Sequence, residues 1–248
     1  MSTLNPLASR LKPAPAASTP PSRRVVDAPI RMFHWLFALC FVGAYITADG
    51  ESWRLLHVTL GYTLAGLLGF RVVYGVIGPR HARLSLMWRK LVVLPAWLTS
   101  FKWSQPGQVN WLQGQNLVMA LAVLALLLVV VPVTLSGYLN YNDVGGDLME
   151  DLHETMGELF LWLVLAHLAL IASLSVLRRK NQALPMLTGR TLGAGPDLVK
   201  SNKRWLAALV LLGVLTYWGW EWQHSPSGLL SEPRADAMFQ GGGYKSDH

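Results

Sequence analysis

The chain has 248 residues, of which 52% are hydrophobic and only 14% charged, and its formal net charge is +7. Uncharged apolar runs such as residues 117–135 are longer than a soluble core requires, so the composition indicates an integral membrane protein. The basic residues lie in clusters between these runs and do not alternate with aromatic residues, which argues against nucleic acid as a partner.

A single cysteine, Cys40, lies within the first apolar run. One cysteine cannot build a disulfide framework, and the sequence has no CxxCH motif for covalent haem attachment. Any haem must therefore be held without a covalent bond. Cys40 itself is expected to be a small buried apolar residue.

The N-terminal residues 1–24 are rich in proline, alanine and serine, which predicts a disordered cytoplasmic tail. Asp27 and Pro29 are then typical of a helix start, and the first predicted helix covers about residues 30–48. Its apolar run begins too far from the N-terminus for an ordinary signal peptide, so it is expected to be retained as a membrane span.

Four more spans follow in the sequence, and together they predict an all-α integral membrane protein. A four-helix transmembrane bundle is predicted at residues 25–180, and a fifth transmembrane helix lies beyond it. The later helices are predicted at residues 55–77, 116–137, 152–177 and 205–222. Residues 84–103 mix tryptophans with basic residues, which indicates a segment lying in the membrane interface.

The distribution of charge predicts the orientation of the chain. Basic residues cluster before the first helix, after the second helix and in residues 181–204, so these segments are predicted to be cytoplasmic. The loop before residue 152 is acidic and contains no lysine or arginine. The N-terminus is therefore expected in the cytoplasm, and residues 223–248 are expected to form a periplasmic tail.

Four histidines lie within the predicted spans: His34, His57, His153 and His167. Ionisable side chains in a membrane are costly, which makes each a candidate functional residue. His153 and His167 are 14 residues apart on one helix, about 21 Å along its axis and about 40° short of whole turns. One helix face therefore presents two histidines at two depths in the membrane.

Depth pairs His57 with His153 near the periplasmic side and His34 with His167 near the cytoplasmic side. Two histidines from facing helices suit the axial positions of haem iron, whereas zinc requires a tighter tetrahedral set. Gly61 follows His57 by four residues, and Gly157 follows His153 by four. A flat macrocycle fits against such glycines, although packing between helices explains each glycine alone equally well.

Arg71 lies in an uncharged stretch at the predicted depth of the cytoplasmic pair. A cation at this depth needs an anion, and a haem propionate is the preferred candidate, with Arg31 as a second arginine for the same role. The alternative is that Arg71 extends to the cytoplasmic lipid headgroups.

The segments Asp27–Trp35 (DAPIRMFHW) and Leu56–Tyr62 (LHVTLGY), the Phe70-Arg71 pair, the Gly78-Pro79-Arg80 turn and the two later histidines resemble the bacterial cytochrome b561 family. That family includes the b-type cytochrome subunits of nickel-iron hydrogenases. The resemblance implies a bacterial inner-membrane cytochrome with two haem b groups held by His34, His57, His153 and His167. It also implies electron transfer in a respiratory chain between quinone and a periplasmic redox partner, such as a hydrogenase or a cytochrome c.

Two other functions remain open at this stage. Some members of the family oxidise superoxide and pass the electron to quinone, but the acidic outer loop would repel an anionic substrate. A transporter in which the histidines relay protons is a third hypothesis, and it predicts that no haem is bound.

Overall fold

The computed structural model describes residues 21–103 and 110–225. Four of its helices are long and apolar enough to cross a bilayer, at Ala28–Ile46, Glu51–Ile77, Trp111–Tyr141 and Asp147–Leu177. We name them α1 (Ala28–Ile46), α2 (Arg54–Ile77, after a 3₁₀ turn at Glu51–Trp53), α5 (Trp111–Tyr141) and α6 (Asp147–Leu177). The four spans of the predicted bundle are therefore confirmed as membrane-length helices.

The remaining helices are α3 (Leu84–Val92), α4 (Leu94–Trp103), α7 (Leu184–Thr188) and α8 (Arg204–His224). The last of these matches the predicted fifth helix to within two residues at each end. However, α8 is not among the helices of the described chain that satisfy the length and hydropathy of a span. Its membrane crossing stays a prediction.

The first span begins where the sequence predicts. The Asp27 carboxylate accepts a hydrogen bond of 3.2 Å from the Ile30 N–H, and Pro29 lies in the first turn, where it has no N–H to leave unpaired. By contrast, α5 and α6 extend five residues beyond the predicted start of each helix. Their first turns mix apolar residues with polar ones such as Gln113 and Asp147, so hydropathy alone locates only the apolar middle of each helix.

The membrane helices pack as two antiparallel pairs, α1 with α2 and α5 with α6, and α2 joins the pairs by packing against α5. Phe160 of α6 reaches α1, where its ring centroid lies 4.7 Å from that of Phe41 and 6.3 Å from that of Phe37. The opposite side of α1 packs against α8. Cys40 is buried in this contact region at 1% exposure, as predicted.

Two short strands are absent from the sequence prediction. Strand β1 (Ser22–Arg24) pairs antiparallel with β2 (Arg190–Leu192), with Arg23 opposite Thr191. The prediction that the disordered tail reaches residue 24 is therefore wrong for these three residues, because they find a partner about 170 residues away. Residues 1–20 of that predicted tail lie outside the described chain.

The two connecting segments contain regular secondary structure. The interfacial segment 84–103 consists of α3 and α4, separated at Val93. The basic segment 181–204 contains α7 and β2, and it folds against the start of α1. Backbone hydrogen bonds from Val25 and Val26 to the Gly189 carbonyl, and from Ala28 to the Asn202 carbonyl, hold it there.

Candidate functional site

The structure brings His57 of α2 and His153 of α6 together at one end of the bundle. Their ring centroids are 5.9 Å apart, and the ring planes are nearly perpendicular at 82°. Two metal–imidazole bonds of about 2 Å each would place the centroids of two axial ligands roughly 6 Å apart. The observed spacing is therefore compatible with one metal ion shared by the two rings.

Both of these rings have a fixed tautomer. The Nδ1–H of His57 donates to the Ala44 carbonyl at 2.8 Å, and that of His153 donates to the Val133 carbonyl at 2.9 Å. A carbonyl oxygen can only accept, so in each ring the proton is on Nδ1 and the lone pair is on Nε2. This arrangement is typical of histidines that bind a metal through Nε2.

The two carbonyls come from different parts of their helices. Ala44 lies in the last turn of α1, where carbonyl groups lack a partner in the helix, so His57 caps this end. Val133 lies within α5, next to Pro132. Ser136 follows it on the same side of α5, with its hydroxyl oxygen 3.5 Å from the His153 Nδ1 atom.

A glycine that the sequence analysis missed makes room for the His153 ring. A Cβ atom added at Gly137 would lie 2.7 Å from His153 Cε1 and 2.9 Å from His153 Nδ1. Real Cβ atoms do not approach other atoms so closely, so Gly137 is needed for this ring position. Gly137 lies on α5, the helix that faces His153, so its distance from the histidine in the sequence gives no signal.

At the other end of the bundle, His34 of α1 and His167 of α6 are close enough to interact electrostatically. Each ring has a buried Nδ1 atom without a hydrogen-bond partner in the described chain. Buried polar atoms are normally paired, and an unpaired one marks a place where an additional group is expected. The pairing of histidines predicted from depth thus corresponds to two neighbouring pairs in the structure.

The four histidines fit haem better than a protein-bound metal ion. In the described part of the chain, no group of three or more histidine, cysteine or acidic side chains is arranged to hold a metal. Cβ atoms added at Gly61 and Gly157 would have nothing within 4 Å, so open space lies beside both ligand helices. Paired histidines with open space beside them match the needs of a flat macrocycle with two axial ligands.

The surroundings of Arg71 differ from the expectation that it needs a haem propionate. The guanidinium is buried at 8% exposure, and its Nη1 donates to the Ala82 carbonyl at 3.1 Å. It also interacts electrostatically with the Asp27 carboxylate. An anion for Arg71 is therefore present within the chain, in addition to the propionate and headgroup partners that the sequence suggests.

Arg31 and Trp35 flank His34 on α1 and are tied to the segment after α6. The Nη1 of Arg31 donates to the Leu187 carbonyl at 2.9 Å, and the indole N–H of Trp35 donates to the Met186 carbonyl at 3.0 Å. The Nε atom of Arg31 is buried and has no partner in the described chain. Arg31 thus retains a buried donor without a partner in the described chain, three residues before His34.

Comparison with known proteins agrees with this site. The profile described as prokaryotic cytochrome b561 matches residues 25–189, which is more than half of the chain and includes all four histidines. The chain belongs to the prokaryotic cytochrome b561 family. It is therefore a multi-pass membrane b-type cytochrome, and haem b is the cofactor that the family implies.

Two curated relatives, from Escherichia coli strain K12 and from Escherichia coli O157:H7, are each described as a probable Ni/Fe-hydrogenase 1 B-type cytochrome subunit. Each is 25% identical over 108 residues, covering 36% of this cytochrome b561 chain and 43% of the relative. The chain thus spans less than half the length of these relatives. No solved structure matches it.

Proposed function

We propose that the protein binds two haem b groups and relays single electrons across the bacterial inner membrane, between the quinone pool and a periplasmic redox partner. The observation that carries this proposal is the presence of two histidine pairs at opposite ends of one helix. His153 and His167 lie about 21 Å apart along α6, and each has its partner on another helix. A single chain so arranged offers one redox centre near each face of the membrane.

In this proposal His57 and His153 hold the outer haem, and His34 and His167 hold the inner haem. Haem b, when bound, supplies one-electron iron chemistry. The Ala44 and Val133 carbonyls orient the outer rings and increase the basicity of their Nε2 atoms. Gly61 and Gly157 leave space beside the ligand helices, and Arg31, with its unpaired Nε, is the better placed arginine for an inner propionate.

A hydrogenase is the redox partner that the relatives' names favour, and a cytochrome c is the alternative. Oxidation of superoxide, also suggested by the family resemblance, is disfavoured. The loop beside His153 carries Asp143, Asp147, Glu150 and Asp151, and their negative charge would repel an anionic substrate. A transporter that relays protons without haem is also disfavoured, because the chain belongs to a cytochrome family.

The experiment that tests this function is the haem content of the purified full-length protein. A pyridine haemochrome assay is expected to give two haems b per chain, and a redox titration is expected to resolve two potentials. A quinol added without oxygen should reduce the haems. A His224→Ala variant is a suitable control, because His224 is exposed and belongs to neither pair. One haem, or none, in the wild type would contradict the proposal.

We also propose that the N-terminus is cytoplasmic and the C-terminus periplasmic. The end of the bundle at which α1 begins and α6 ends is basic, whereas the loop between α5 and α6 is acidic. The C-terminal half of this proposal requires α8 to cross the membrane. A reporter active only outside the cytoplasm, fused after His248, should therefore be active. Activity only from a cytoplasmic reporter would show that α8 lies on the membrane without crossing it.

A further inference from the structure

A buried group of four side chains lies at the cytoplasmic end of α1 and α2, and the electron-transfer proposal gives it no role. We call it the Asp27 cluster, and it consists of Asp27, Arg71, Tyr74 and His81. Asp27 has 0% exposure. Its Oδ2 atom accepts a hydrogen bond of 2.5 Å from the Tyr74 hydroxyl and lies 2.8 Å from His81 Nε2.

Only one member of the cluster reaches water to an appreciable extent. The side chain of His81 is 14% exposed, whereas Asp27 is inaccessible and Tyr74 and Arg71 are buried at 5% and 8% exposure. His81 lies in the 3₁₀ turn Arg80–Ala82, which follows α2. The cluster therefore forms a hydrogen-bonded chain. Its solvent-exposed end is His81, and its buried end is the Asp27 carboxylate with the Tyr74 hydroxyl.

The charged groups around this chain are known from each neighbouring element. Arg71 of α2 interacts electrostatically with Asp27, and Lys203, which precedes α8, has its ammonium 5.5 Å from the centre of the Tyr74 ring. Arg31 of α1 is directed to the Leu187 carbonyl, and Arg83 donates to the Gly78 carbonyl. Asp27 is thus the carboxylate among several cations, and His81 is the neighbour in direct contact with it whose second ring nitrogen can accept a proton.

The cluster is close to the inner histidine pair. Asp27 precedes His34 by seven residues, which is about 10 Å along the axis of α1 and about 20° short of two turns. Charges that are removed from water interact over such distances much more strongly than charges at a surface.

We propose that His81 takes up one proton from the cytoplasm when the inner histidine pair receives one electron, with Asp27 as its counter-charge. This inference rests on the proposed function, because it requires a haem iron between His34 and His167. The electron would come from quinol or from the periplasmic redox partner of the proposed function, and the proton would come from cytoplasmic water. One negative and one positive charge are added together, so the charge of this end of the protein does not change.

The geometry allows this proton uptake without rearrangement. Neutral His81 donates its Nε2–H to the Asp27 carboxylate, which leaves a lone pair on Nδ1 for the incoming proton. The resulting imidazolium can retain the same 2.8 Å contact, which then joins two opposite charges. Tyr74 continues to donate to the same carboxylate oxygen, so the Asp27 charge stays compensated in both states.

The test is a spectroelectrochemical titration of the full-length protein between about pH 5 and pH 9, a range that brackets the usual titration of histidine. A His153→Ala background, which is expected to lack the outer haem, isolates the inner one. Each tenfold rise in proton concentration is expected to raise the inner potential, by up to about 59 mV for one proton per electron. A His81→Gln variant, which keeps a side-chain donor, is expected to lose most of this pH dependence.

A matched control is His224→Gln, because this exposed histidine lies at the far end of α8, and it should leave the pH dependence unchanged. Equal slopes in His81→Gln and the wild type would overturn the inference. Proton release or uptake by wild-type protein, followed with an indicator dye during reduction in unbuffered solution, tests it without any variant. Reduction without proton uptake would overturn the inference, whereas failure of the wild type to bind two haems would overturn the proposed function instead.

Discussion

The two histidine pairs differ in how the protein holds their rings. In the outer pair, both Nδ1 atoms donate to backbone carbonyls, which sets the tautomer and the orientation of each ring. In the inner pair, both Nδ1 atoms are buried and have no partner in the described chain. An unpaired buried nitrogen costs about 1–3 kcal/mol. The outer rings are therefore preorganised by the backbone. The inner site depends instead on the contacts of Arg31 and Trp35 that hold the start of α1.

Replacing a histidine of α6 is expected to have the largest effect, because it should remove the haem from one of the two sites. Replacing His153 with alanine should abolish the outer haem and spare the inner one, and replacing His167 should do the reverse, because their partners lie on separate helices. The measurement is haem content together with the redox titration of each variant. Loss of both haems from either variant, in protein that still inserts into the membrane, would show that the two sites are not independent.

A smaller effect is expected from filling the space beside the outer ring. A Gly137→Ala variant would place a methyl group 2.7 Å from His153 Cε1, so the ring must move away from the Val133 carbonyl. Disturbing such a support for a ligand typically lowers metal affinity roughly 10- to 100-fold. Titration of apoprotein with haem should show weaker binding at the outer site and unchanged binding at the inner site.

The control for this prediction is Gly219→Ala on α8, a helix that carries none of the four histidines. A Cβ atom there would have nothing within 4 Å, so haem affinity should stay at the wild-type value. If Gly137→Ala bound the outer haem as tightly as the control does, the fixed position of the His153 ring would be unimportant for the site.

The smallest effect is expected from charge at the outer end. Asp147, Glu150 and Asp151 are exposed and precede His153 directly, whereas the inner end is basic. A cationic redox partner should therefore be attracted to the outer end. Changing the three residues to Asn, Gln and Asn should slow electron transfer to a basic cytochrome c several-fold at low salt, with both haems retained.

The wild type should show the same slowing as ionic strength rises past about 0.1 M, where the Debye length is about 10 Å. Stopped-flow kinetics at several salt concentrations measure both effects. An electron-transfer rate that does not change with ionic strength or with these substitutions would mean that the partner docks elsewhere.

The sequence predicts the membrane helices well because lipid requires long apolar runs, and α1 and α2 are located to within two residues. The depth of each histidine follows from its position along a helix of known rise, which is why the pairs could be predicted before the structure. The anion beside Arg71 could not be found in this way. Asp27 precedes Arg71 by 44 residues, and only the packing of α1 against α2 brings them together.

The short strands and His81 escaped prediction for related reasons. Strands β1 and β2 have three residues each, too few for a periodic pattern, and their pairing is between distant segments. His81 lies outside the predicted spans, so its position in the sequence indicates no function. Its contact with Asp27 forms only when the end of α2 meets the start of α1. The sequence around Gly137 does not show that a glycine is needed there, because the side chain that leaves no room for a Cβ atom is His153 of another helix.

The connection between the start of α1 and residues 186–202 has a consequence for biosynthesis. A ribosome completes the sequence of both outer ligands once His153 has emerged. The start of α1, which carries His34, gains its anchors only later, when the Met186, Leu187, Gly189 and Asn202 carbonyls have been synthesised. Both outer ligands therefore emerge before these anchors, and a chain truncated near residue 180 would keep both outer ligands but lack the carbonyls that anchor the start of α1.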